Sequence, residues 1–189
     1  MLGYVNLLDI YKEAGAYLEG HYLLASGRHA PLFLQSTTVM QQPQYTQMIG
    51  KGLADKLQAE LNETPDFVIG PAMGGVVLAY EVARHLNCRA LFAEKDGEGG
   101  MFVREAFDIE GNTFVAVEDV ITTGGSLKKG IAAAEAREAR YLAGAVIIDR
   151  RPDELRLSWS LASLLHLPLE TYAPENCPLC EQGIPLEDV

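Results

Sequence analysis

The segment from Phe114 to Gly130, FVAVEDVITTGGSLKKG, carries the residue pattern that decides the fold. It begins with a short apolar run, continues with two adjacent carboxylates, and then has a Thr- and Gly-rich stretch before a segment of helical character. Short apolar runs are typical of buried strands, and a glycine-rich turn before a helix is typical of an anion-binding loop. The segment therefore predicts a strand, a phosphate-binding loop and a helix.

The residue types of this loop suit a sugar phosphate. Gly124 and Gly125 can take positive φ and carry no Cβ, so consecutive N–H groups can converge on one phosphate. Hydroxyl side chains add donors, and the following helix N-terminus favours negative charge. Glu118 and Asp119 would repel a phosphate, so we expect them to accept hydrogen bonds from ribose hydroxyls beside it. The predicted phosphate contacts are Thr122, Thr123, Gly124, Gly125 and Ser126.

This segment resembles the phosphoribosyl diphosphate (PRPP) binding motif of the type I phosphoribosyltransferases, which has a hydrophobic strand, two acidic residues and a Thr- and Gly-rich loop. The resemblance implies that Val120 and Ile121 also contribute to the PRPP site. The alternative is an ordinary strand-to-helix turn, but the acidic pair at fixed distance from TTGGS is more specific than a lone Gly-Gly. Neither GxxxxGK[ST] nor GxGxxG occurs here, which argues against a P-loop or dinucleotide site.

A second glycine-rich loop, GPAMGG, follows a short strand candidate at Phe67 to Ile69 and precedes a helix that is predicted to end near Leu86. It repeats the arrangement of strand, loop and helix N-terminus that binds anions. In the type I family this loop contacts pyrophosphate. The resemblance implies PRPP contacts from Ala72, Met73, Gly74 and Gly75.

The segment from Glu94 to Arg104 has three glycines among charged residues, a composition that predicts a mobile surface segment. Its place matches the family's flexible catalytic loop, which closes over the active site of the neighbouring subunit. Lys95 occupies a matching basic position, whereas the further lysine and the histidine of many relatives are missing. Arg104 is a candidate substitute for them. For both residues the alternative is a solvated surface charge.

Residues 20–36 place apolar runs on both sides of Ser-Gly-Arg, which predicts two short strands around a turn. They resemble the N-terminal hood of the orotate phosphoribosyltransferases, a similarity that implies that Phe33 and Leu34 cover the orotate ring. The alternative is a hairpin that closes the core. Ala25 is a departure, because many members have a lysine there.

A further strand, Gly144 to Ile148, ends in a charged cluster that contains Arg150. Ligands bind at the carboxyl ends of strands in open parallel sheets. Arg150 matches the family arginine that grips the orotate carboxylate, a two-pronged pairing that suits a guanidinium. The resemblance also implies that Thr122 helps to position orotate.

Length and element order favour an α/β fold of type I phosphoribosyltransferase form, with a mainly parallel central sheet flanked by helices. We expect the 189 residues to form one domain, with a hood at about 1–40 joined by a C-terminal tail and a core at about 41–168. The net charge of −11 argues against nucleic-acid binding. No apolar run is long enough for a membrane span, and no signal peptide is evident, so a cytoplasmic protein is expected.

The three cysteines, Cys88, Cys177 and Cys180, do not make a disulfide framework. Cys177 and Cys180 form one CxxC near the C-terminus, with no second pair and no well-spaced histidine to complete a zinc site. The four histidines are scattered, so a structural role is expected for each. Zinc is therefore disfavoured on spacing alone.

The resemblance implies the transfer of phosphoribose from PRPP to orotate, giving orotidine 5′-monophosphate and pyrophosphate. Mg²⁺ would be held by PRPP rather than by the protein, and the catalytic residues would be Lys95, Glu118 and Asp119. A homodimer is implied, with the loop around Lys95 reaching the neighbouring site. Two alternatives stay open: a purine phosphoribosyltransferase and a PRPP-responsive regulator, although the chain offers no basic DNA-binding segment.

Overall fold

The computed structural model describes residues 6–24 and 26–188. Among these residues the helices are α1 (Leu7–Glu13), α2 (Ser36–Met40), α3 (Pro43–Glu60), α4 (Gly74–Leu86), α5 (Gly125–Glu135) and α6 (Pro178–Glu181), with a 3-10 turn at Pro174–Asn176. The strands are β1 (Tyr17–Leu23), β2 (His29–Leu34), β3 (Phe67–Pro71), β4 (Arg89–Lys95), β5 (Met101–Phe102), β6 (Thr113–Ile121), β7 (Arg140–Asp149), β8 (Leu161–His166) and β9 (Glu187–Asp188).

A six-stranded sheet with the order β5-β4-β3-β6-β7-β8 forms the centre of the described structure. All neighbouring strands in it run parallel except β4 and β5, which form an antiparallel hairpin. Parallel neighbours need crossover connections. Helix α4 connects β3 to β4 and α5 connects β6 to β7, whereas the irregular segment 150–160 connects β7 to β8. The predicted α/β fold with a mainly parallel sheet is confirmed.

Both faces of the sheet are buried, as a parallel sheet requires. Val115 and Val117 of β6 belong to the core cluster that includes α3 and α4. Phe114 points to the other face, where it packs with Leu127 of α5 and stacks on Phe67 at a ring-centroid distance of 5.2 Å. The period-2 alternation of β6 therefore supplies side chains to two cores, and helices cover both.

A separate three-stranded sheet, with the order β2-β1-β9, forms the hood. β1 and β2 are antiparallel, as the sequence predicts, and β9 at the end of the chain runs parallel to β1. The backbone of Tyr172 also exchanges two hydrogen bonds with that of His29, at 2.9 and 2.8 Å. The C-terminal tail is thus tied to the hood through backbone pairing.

Some element boundaries differ from the sequence prediction. Apolar residues at helical spacing predict a helix over about residues 6–17, but the first helix ends at Glu13, because Gly15 adopts φ +66° and Tyr17 starts β1. Strand β6 extends to Ile121 and includes the acidic pair, because its polar end pairs with β7 as far as Asp149. Among the described residues, no helix is long and apolar enough to cross a membrane.

Candidate active site

The two predicted glycine loops lie side by side at one edge of the central sheet. Strands β3 and β6 are parallel neighbours, so the loops that follow them leave the sheet at the same edge. A Cβ placed on Gly74 would lie only 3.6 Å from Oδ1 of Asp119. The structure therefore brings the GPAMGG loop next to the acidic pair, although more than forty residues separate them in the sequence.

Close backbone approach explains the glycines of the first loop. A Cβ on Gly70 would lie 2.2 Å from the carbonyl oxygen of Gly75, a contact that backbone atoms cannot relieve. Ala72 donates its N–H to the carbonyl of Ala93 at 2.8 Å, which fastens the loop to β4. Met73 is 82% exposed at the tip of the loop. The loop is therefore held at its base and open to solvent at its tip.

The second loop is short, because the strand before it extends so far. Gly124 has φ +81° and directly precedes α5, so a left-handed residue starts this helix. Thr122, Thr123, Gly125 and Ser126 are exposed around it. Val120 is partly buried and Ile121 is buried in the core, so any contact of these two with PRPP comes from their backbone.

The acidic pair lies at the end of β6 in a partly buried position. Burial raises the pKa of Glu118 to about 7, the nearby Ser126 hydroxyl opposes this shift, and the charge of Asp119 adds to it. Burial also raises the pKa of Asp119. Burial thus disfavours the charged form of both carboxylates, and perturbed pKa values of this kind are common at functional sites.

The pKa of Glu118 predicts a pH dependence of stability. Because the folded-state pKa is raised from 4.5 to about 7, the contribution of Glu118 to the free energy of unfolding is fully present below about pH 4.5 and is lost as the pH rises through about 7. We therefore compare the free energy of unfolding of Glu118→Gln with that of the wild type. As the pH rises from about 5 to about 8, we expect this difference to shift in favour of Glu118→Gln by on the order of 2 kcal/mol. Urea unfolding at both pH values, with the exposed Glu110→Gln as control, measures this difference. Parallel pH curves for Glu118→Gln and the wild type would contradict it.

Two residues that sequence reasoning missed, Tyr11 and Ser36, form hydrogen bonds that reach Asp119 of the acidic pair. The hydroxyl of Tyr11 lies 2.8 Å from the hydroxyl of buried Ser36. Ser36 in turn lies close enough to Asp119 to lower its pKa, against the larger effect of burial. These contacts join α1 and α2 to β6, and no local sequence signal could have shown them.

A cavity of about 560 Å³ lies between the β4–β5 hairpin and the predicted phosphate-binding residues 122–126, called the phosphate loop below. Lys95 lines this cavity, together with Gly125 and Ser126 of the same chain. Lys129 also lines it and was missed by the sequence analysis. Its spacing of three and four residues from Ser126 and Gly125 on a helix could have identified it. The structure thus gives this cavity two lysines beside the predicted phosphate contacts.

The segment that was predicted to be mobile forms the hairpin turn between β4 and β5. The Asp96 carboxylate accepts hydrogen bonds from the N–H groups of Glu98 and Gly100 at 2.8 and 2.9 Å. Arg104 is paired with Glu94, with its Nη2 2.9 Å from Oε1, and it lies over the ring of Phe92. The substitute role of Arg104 stays a prediction. Lys95 lines the cavity beside Gly125 and Ser126, whereas Arg104 does not.

A second cavity, of about 360 Å³, lies on the other side of the phosphate loop. Arg150, Thr122 and Thr123 line it. Nε of Arg150 has no hydrogen-bond partner, and it is the only buried side-chain nitrogen or oxygen of the described residues in that state. Burial lowers the pKa of this guanidinium. Because an unpaired buried donor is costly, the arrangement indicates a ligand acceptor at this point.

The neighbouring arginine has a different role. Arg151 forms two hydrogen bonds with the buried Asp149 carboxylate, at 2.9 Å from Nε and 2.6 Å from Nη2. The Arg151 guanidinium and backbone N–H therefore keep the pKa of Asp149 low, although burial opposes them. Arg151 stabilises the strand end, and Arg150 is left available to the cavity.

The hood and the tail supply the remaining cavity walls. Arg28 lines the cavity and donates a hydrogen bond from Nε to the Thr171 hydroxyl at 2.7 Å. Pro168 and Leu169 of the tail also line it. Sequence reasoning noted the Ser-Gly-Arg turn but gave Arg28 no site role, because its contact partner lies 143 residues away.

This chain is similar to known proteins along most of its length. A phosphoribosyl transferase domain model matches residues 36–161. An orotate phosphoribosyltransferase of Thermus thermophilus is 46% identical over 186 residues, which covers 98% of this chain and 100% of the relative. The chain belongs to the orotate phosphoribosyltransferase family. A second member, from Deinococcus radiodurans, is 49% identical over 191 residues and covers 97% and 98% of the two chains.

Solved structures support the fold assignment. The crystal structure of an orotate phosphoribosyltransferase from Aeropyrum pernix matches with a TM-score of 0.68 at 23% identity, covering 85% of this chain and 94% of that one. An adenine phosphoribosyltransferase from Thermoanaerobacter pseudethanolicus matches with a TM-score of 0.60 at 17% identity, covering 72% and 88%. Similarity at this level shows the fold and does not distinguish the base.

The hood residues expected from the orotate phosphoribosyltransferase family lie as follows. Phe33 is partly exposed and lies near Tyr22, with 6.0 Å between ring centroids, whereas Leu34 is 4% exposed in the main core. Successive strand residues point to opposite faces, so both cannot cover one ring with their side chains. Neither lines the cavity at Arg150. Their contact with orotate stays a prediction, and Ala25 lies outside the described residues.

The structure places two histidines beside the C-terminal cysteines, which the spacing along the sequence did not predict. The sequence showed no histidine placed to join Cys177 and Cys180, yet the ligand atoms of His21, His29 and both cysteines lie within 4.8 Å of one another. The histidines come from the hood and the cysteines from the tail. Pairing of elements more than 140 residues apart in the sequence creates the cluster, and spacing along the chain cannot show it.

Proposed function

We propose that this protein is an orotate phosphoribosyltransferase, which transfers the phosphoribosyl group of PRPP to orotate and releases pyrophosphate. The observation that carries this proposal is the buried, unpartnered Nε of Arg150, in a cavity that shares Thr122 and Thr123 with the phosphate loop. A planar guanidinium suits a carboxylate, and orotate differs from the purine bases in having one. The family membership supports the same substrate.

The residues of the site divide into three groups. The backbone around Gly74 and Gly75, together with Lys95, would stabilise the growing charge of the leaving pyrophosphate. Glu118 and Asp119 would hold the ribose hydroxyls and place negative charge beside the anomeric carbon, which becomes cation-like as its bond to pyrophosphate breaks. The loop from Thr122 to Ser126 would hold the 5′-phosphate, and Arg150 would orient orotate for attack.

We propose Mg²⁺ as the metal that accompanies PRPP. The carboxylates of Glu118 and Asp119 are hard oxygen donors, which Mg²⁺ accepts, but two of them do not make a closed cage. The ion would therefore take most of its ligands from PRPP and water, and the protein would bind it chiefly through the substrate. When bound, Mg²⁺ neutralises part of the pyrophosphate charge.

Consumption of orotate with PRPP and Mg²⁺, followed by absorbance, tests the activity. We expect orotate loss that stops when a chelator removes the metal, and no turnover of adenine, guanine or hypoxanthine under the same conditions. Turnover of a purine without orotate loss would favour the purine alternative. PRPP binding without turnover of any base would favour a regulator.

Lys95→Ala should lower kcat more than it raises the KM for PRPP, because the lysine would act on charge that grows in the transition state. We expect a loss in kcat of roughly tenfold to a hundredfold. Steady-state kinetics with Lys128→Ala as control measure it, since Lys128 is exposed on the same helix as Lys129 but does not line the cavity. Unchanged kinetics would move the role to Lys129 or Arg104.

We propose a homodimer in which the hairpin around Lys95 reaches the neighbouring site. The resemblance implies this assembly, and the exposed apolar side chains of Met73, Val77 and Tyr80 on and beside α4 support a subunit contact, at 82%, 52% and 66% exposure. Light scattering on the purified protein measures the assembly. A monomer at enzyme-assay concentration would contradict the proposal.

Mixing two impaired variants tests the reach of the hairpin. If Lys95 acts across the dimer, Lys95→Ala mixed with Asp119→Asn should recover about a quarter of wild-type activity, because about half of randomly mixed dimers contain both subunits and each has one intact site. The mixture must be partly unfolded and refolded to exchange subunits, with each variant treated alone as control. No recovery would assign Lys95 to the cavity of its own chain.

We also propose that residues 1–189 work as one catalytic unit in the cytoplasm, with no nucleic-acid or membrane partner. The cavity that Arg150 lines draws its walls from the hood, the core and the tail, which supports one unit. The charge of −11 supports the lack of a nucleic-acid partner. Co-purification of nucleic acid, or recovery in the membrane fraction, would contradict this part of the proposal.

A further inference from the structure

Away from the candidate active site, two histidines of the hood and two cysteines of the tail meet. His21, His29 and Cys177 are buried, and Cys180 is exposed. Their ligand atoms all lie within 4.8 Å of one another. We propose that these four residues bind one structural Zn²⁺ ion, which fastens the tail to the hood.

Local structure brings the two ligands of each pair together. A register shift between Glu19 and Tyr22 interrupts the alternation of β1 at His21, and the two imidazoles meet across the hairpin, with Nε2 of His21 2.9 Å from Nδ1 of His29. Cys177 directly precedes α6 and Cys180 lies in its first turn, where a spacing of three residues puts both thiols on one side. Two bidentate halves therefore face each other.

Three of the four sulfur–nitrogen distances match tetrahedral zinc. With Zn–S near 2.3 Å and Zn–N near 2.0–2.1 Å, a tetrahedron separates sulfur from nitrogen by roughly 3.6 Å and two nitrogens by roughly 3.3 Å. Nε2 of His21 lies 3.5 Å from Sγ of Cys177 and 3.7 Å from Sγ of Cys180, and Nδ1 of His29 lies 3.4 Å from Sγ of Cys180. The two nitrogens are 2.9 Å apart and would separate slightly around an ion.

A hydrogen bond to the backbone leaves Nε2 of His21 free to bind a metal. Its Nδ1 lies 2.8 Å from the carbonyl oxygen of Ile184, which can only accept a hydrogen bond. Nδ1 therefore carries the proton, and Nε2 is left with a lone pair that points to the cluster. Metal-binding histidines commonly donate their other N–H to a carbonyl in this way.

Charge and donor chemistry both favour Zn²⁺. Two thiolates and two neutral imidazoles balance the ion, so the buried site would be neutral overall, and the two thiol protons would pass to solvent on binding. A tetrahedral S₂N₂ set is typical of zinc, whereas Mg²⁺ prefers oxygen ligands. Four protein ligands leave no open position, so the role is structural rather than catalytic.

The ion would hold parts of the protein that backbone pairing alone secures weakly. Within the described part of the chain, strand β9 contributes two residues, Glu187 and Asp188, to the hood sheet. His29 directly follows Arg28, whose guanidinium binds Thr171 at the wall of the base cavity. If the proposed function holds, loss of the ion should raise the KM for orotate more than the KM for PRPP.

Metal analysis of protein purified without a metal-affinity tag tests the site independently of activity. We expect about one zinc per chain, together with the visible bands of tetrahedral cobalt and a thiolate-to-cobalt charge-transfer band after Co²⁺ exchange. Cys180→Ser should lose the zinc and the charge-transfer intensity, and it should still fold because Cys180 is exposed. His21→Asn should lose the zinc as well.

Cys88→Ser and His85→Gln are matched controls, because each removes a residue of the same type outside the cluster. Both should keep the zinc and the cobalt spectrum. In the wild type, a strong chelator should speed proteolytic cleavage within residues 168–188 by at least about tenfold, and zinc should restore protection. Cys180→Ser should be cleaved at the fast rate with or without chelator.

Three results would overturn the proposal. The first is zinc well below one per chain in the purified protein, with no uptake on titration. The second is zinc that Cys180→Ser and His21→Asn both retain, which would place the ion elsewhere. The third is a disulfide between Cys177 and Cys180 in protein purified under reducing conditions, found by mass spectrometry.

Discussion

Asp119→Asn should lower kcat by at least about a hundredfold while the fold survives. The carboxylate lies at the end of β6, next to Gly74 of the other glycine loop, where it can accept hydrogen bonds from ribose and face the anomeric carbon. An amide of the same shape keeps the packing but loses the negative charge that opposes the developing cation. The amide also replaces one acceptor oxygen with an NH₂ donor, which cannot accept a hydrogen bond from a ribose hydroxyl.

A stability measurement distinguishes loss of catalysis in Asp119→Asn from loss of folding. Burial raises the pKa of Asp119, so the charged form is costly in the protein without substrate, and Asp119→Asn should be at least as stable as the wild type near neutral pH. Asp55→Asn, at an exposed site on α3, is the control and should change neither activity nor melting temperature measurably. Full activity in Asp119→Asn would show that the ribose contact is misassigned.

Arg150→Ala should lower kcat/KM for orotate by about a hundredfold or more, with little change in PRPP affinity. Each hydrogen bond between a guanidinium and a carboxylate contributes roughly 1.5–3 kcal/mol when it is sheltered from water, and a planar guanidinium can form two such bonds. Arg150→Lys should recover only part of the loss, because an ammonium keeps the charge but not the fork. Steady-state kinetics in orotate and equilibrium binding of PRPP measure the two effects.

The adjacent arginine provides the contrast. Arg150 has a buried nitrogen without a partner, so its removal should leave the melting temperature of the substrate-free protein unchanged or higher. Arg151 is paired with buried Asp149, so Arg151→Ala should lower the melting temperature by leaving that carboxylate uncompensated. A stability loss from Arg150→Ala with unchanged orotate kinetics would make Arg150 a structural residue and would remove the main support for the base site.

The phosphate loop and the acidic pair of the proposed site could be located from the sequence because their signals are local. Gly124 is required at a left-handed position between a strand and a helix, and the acidic pair precedes it on the same strand. A single strand, loop and helix thus contains most of the proposed phosphate and ribose contacts within a few consecutive residues. Lys129 belongs to that same local pattern through helical spacing and could also have been found.

The base side was predictable only in part. Arg150 could be identified because it follows a strand, and strand ends in a parallel sheet share one edge. Arg28, Thr171 and the tail prolines could not, because these residues reach the cavity from a separate sheet and an irregular tail. The prediction for Phe33 and Leu34 treated two neighbours on a strand as if they shared a face, and the alternation of the strand separates them.

The sequence by itself determined the alternation of strands and helices, the two glycine-rich loops and the acidic pair, because these depend on backbone freedom, periodicity and neighbours along the chain. Only the tertiary structure decided which of two adjacent arginines is available to a ligand, and only it joined His21 and His29 to Cys177 and Cys180. Those outcomes depend on pairing between segments up to 159 residues apart. Such pairing is set by how the hood and tail pack together, which no local pattern encodes.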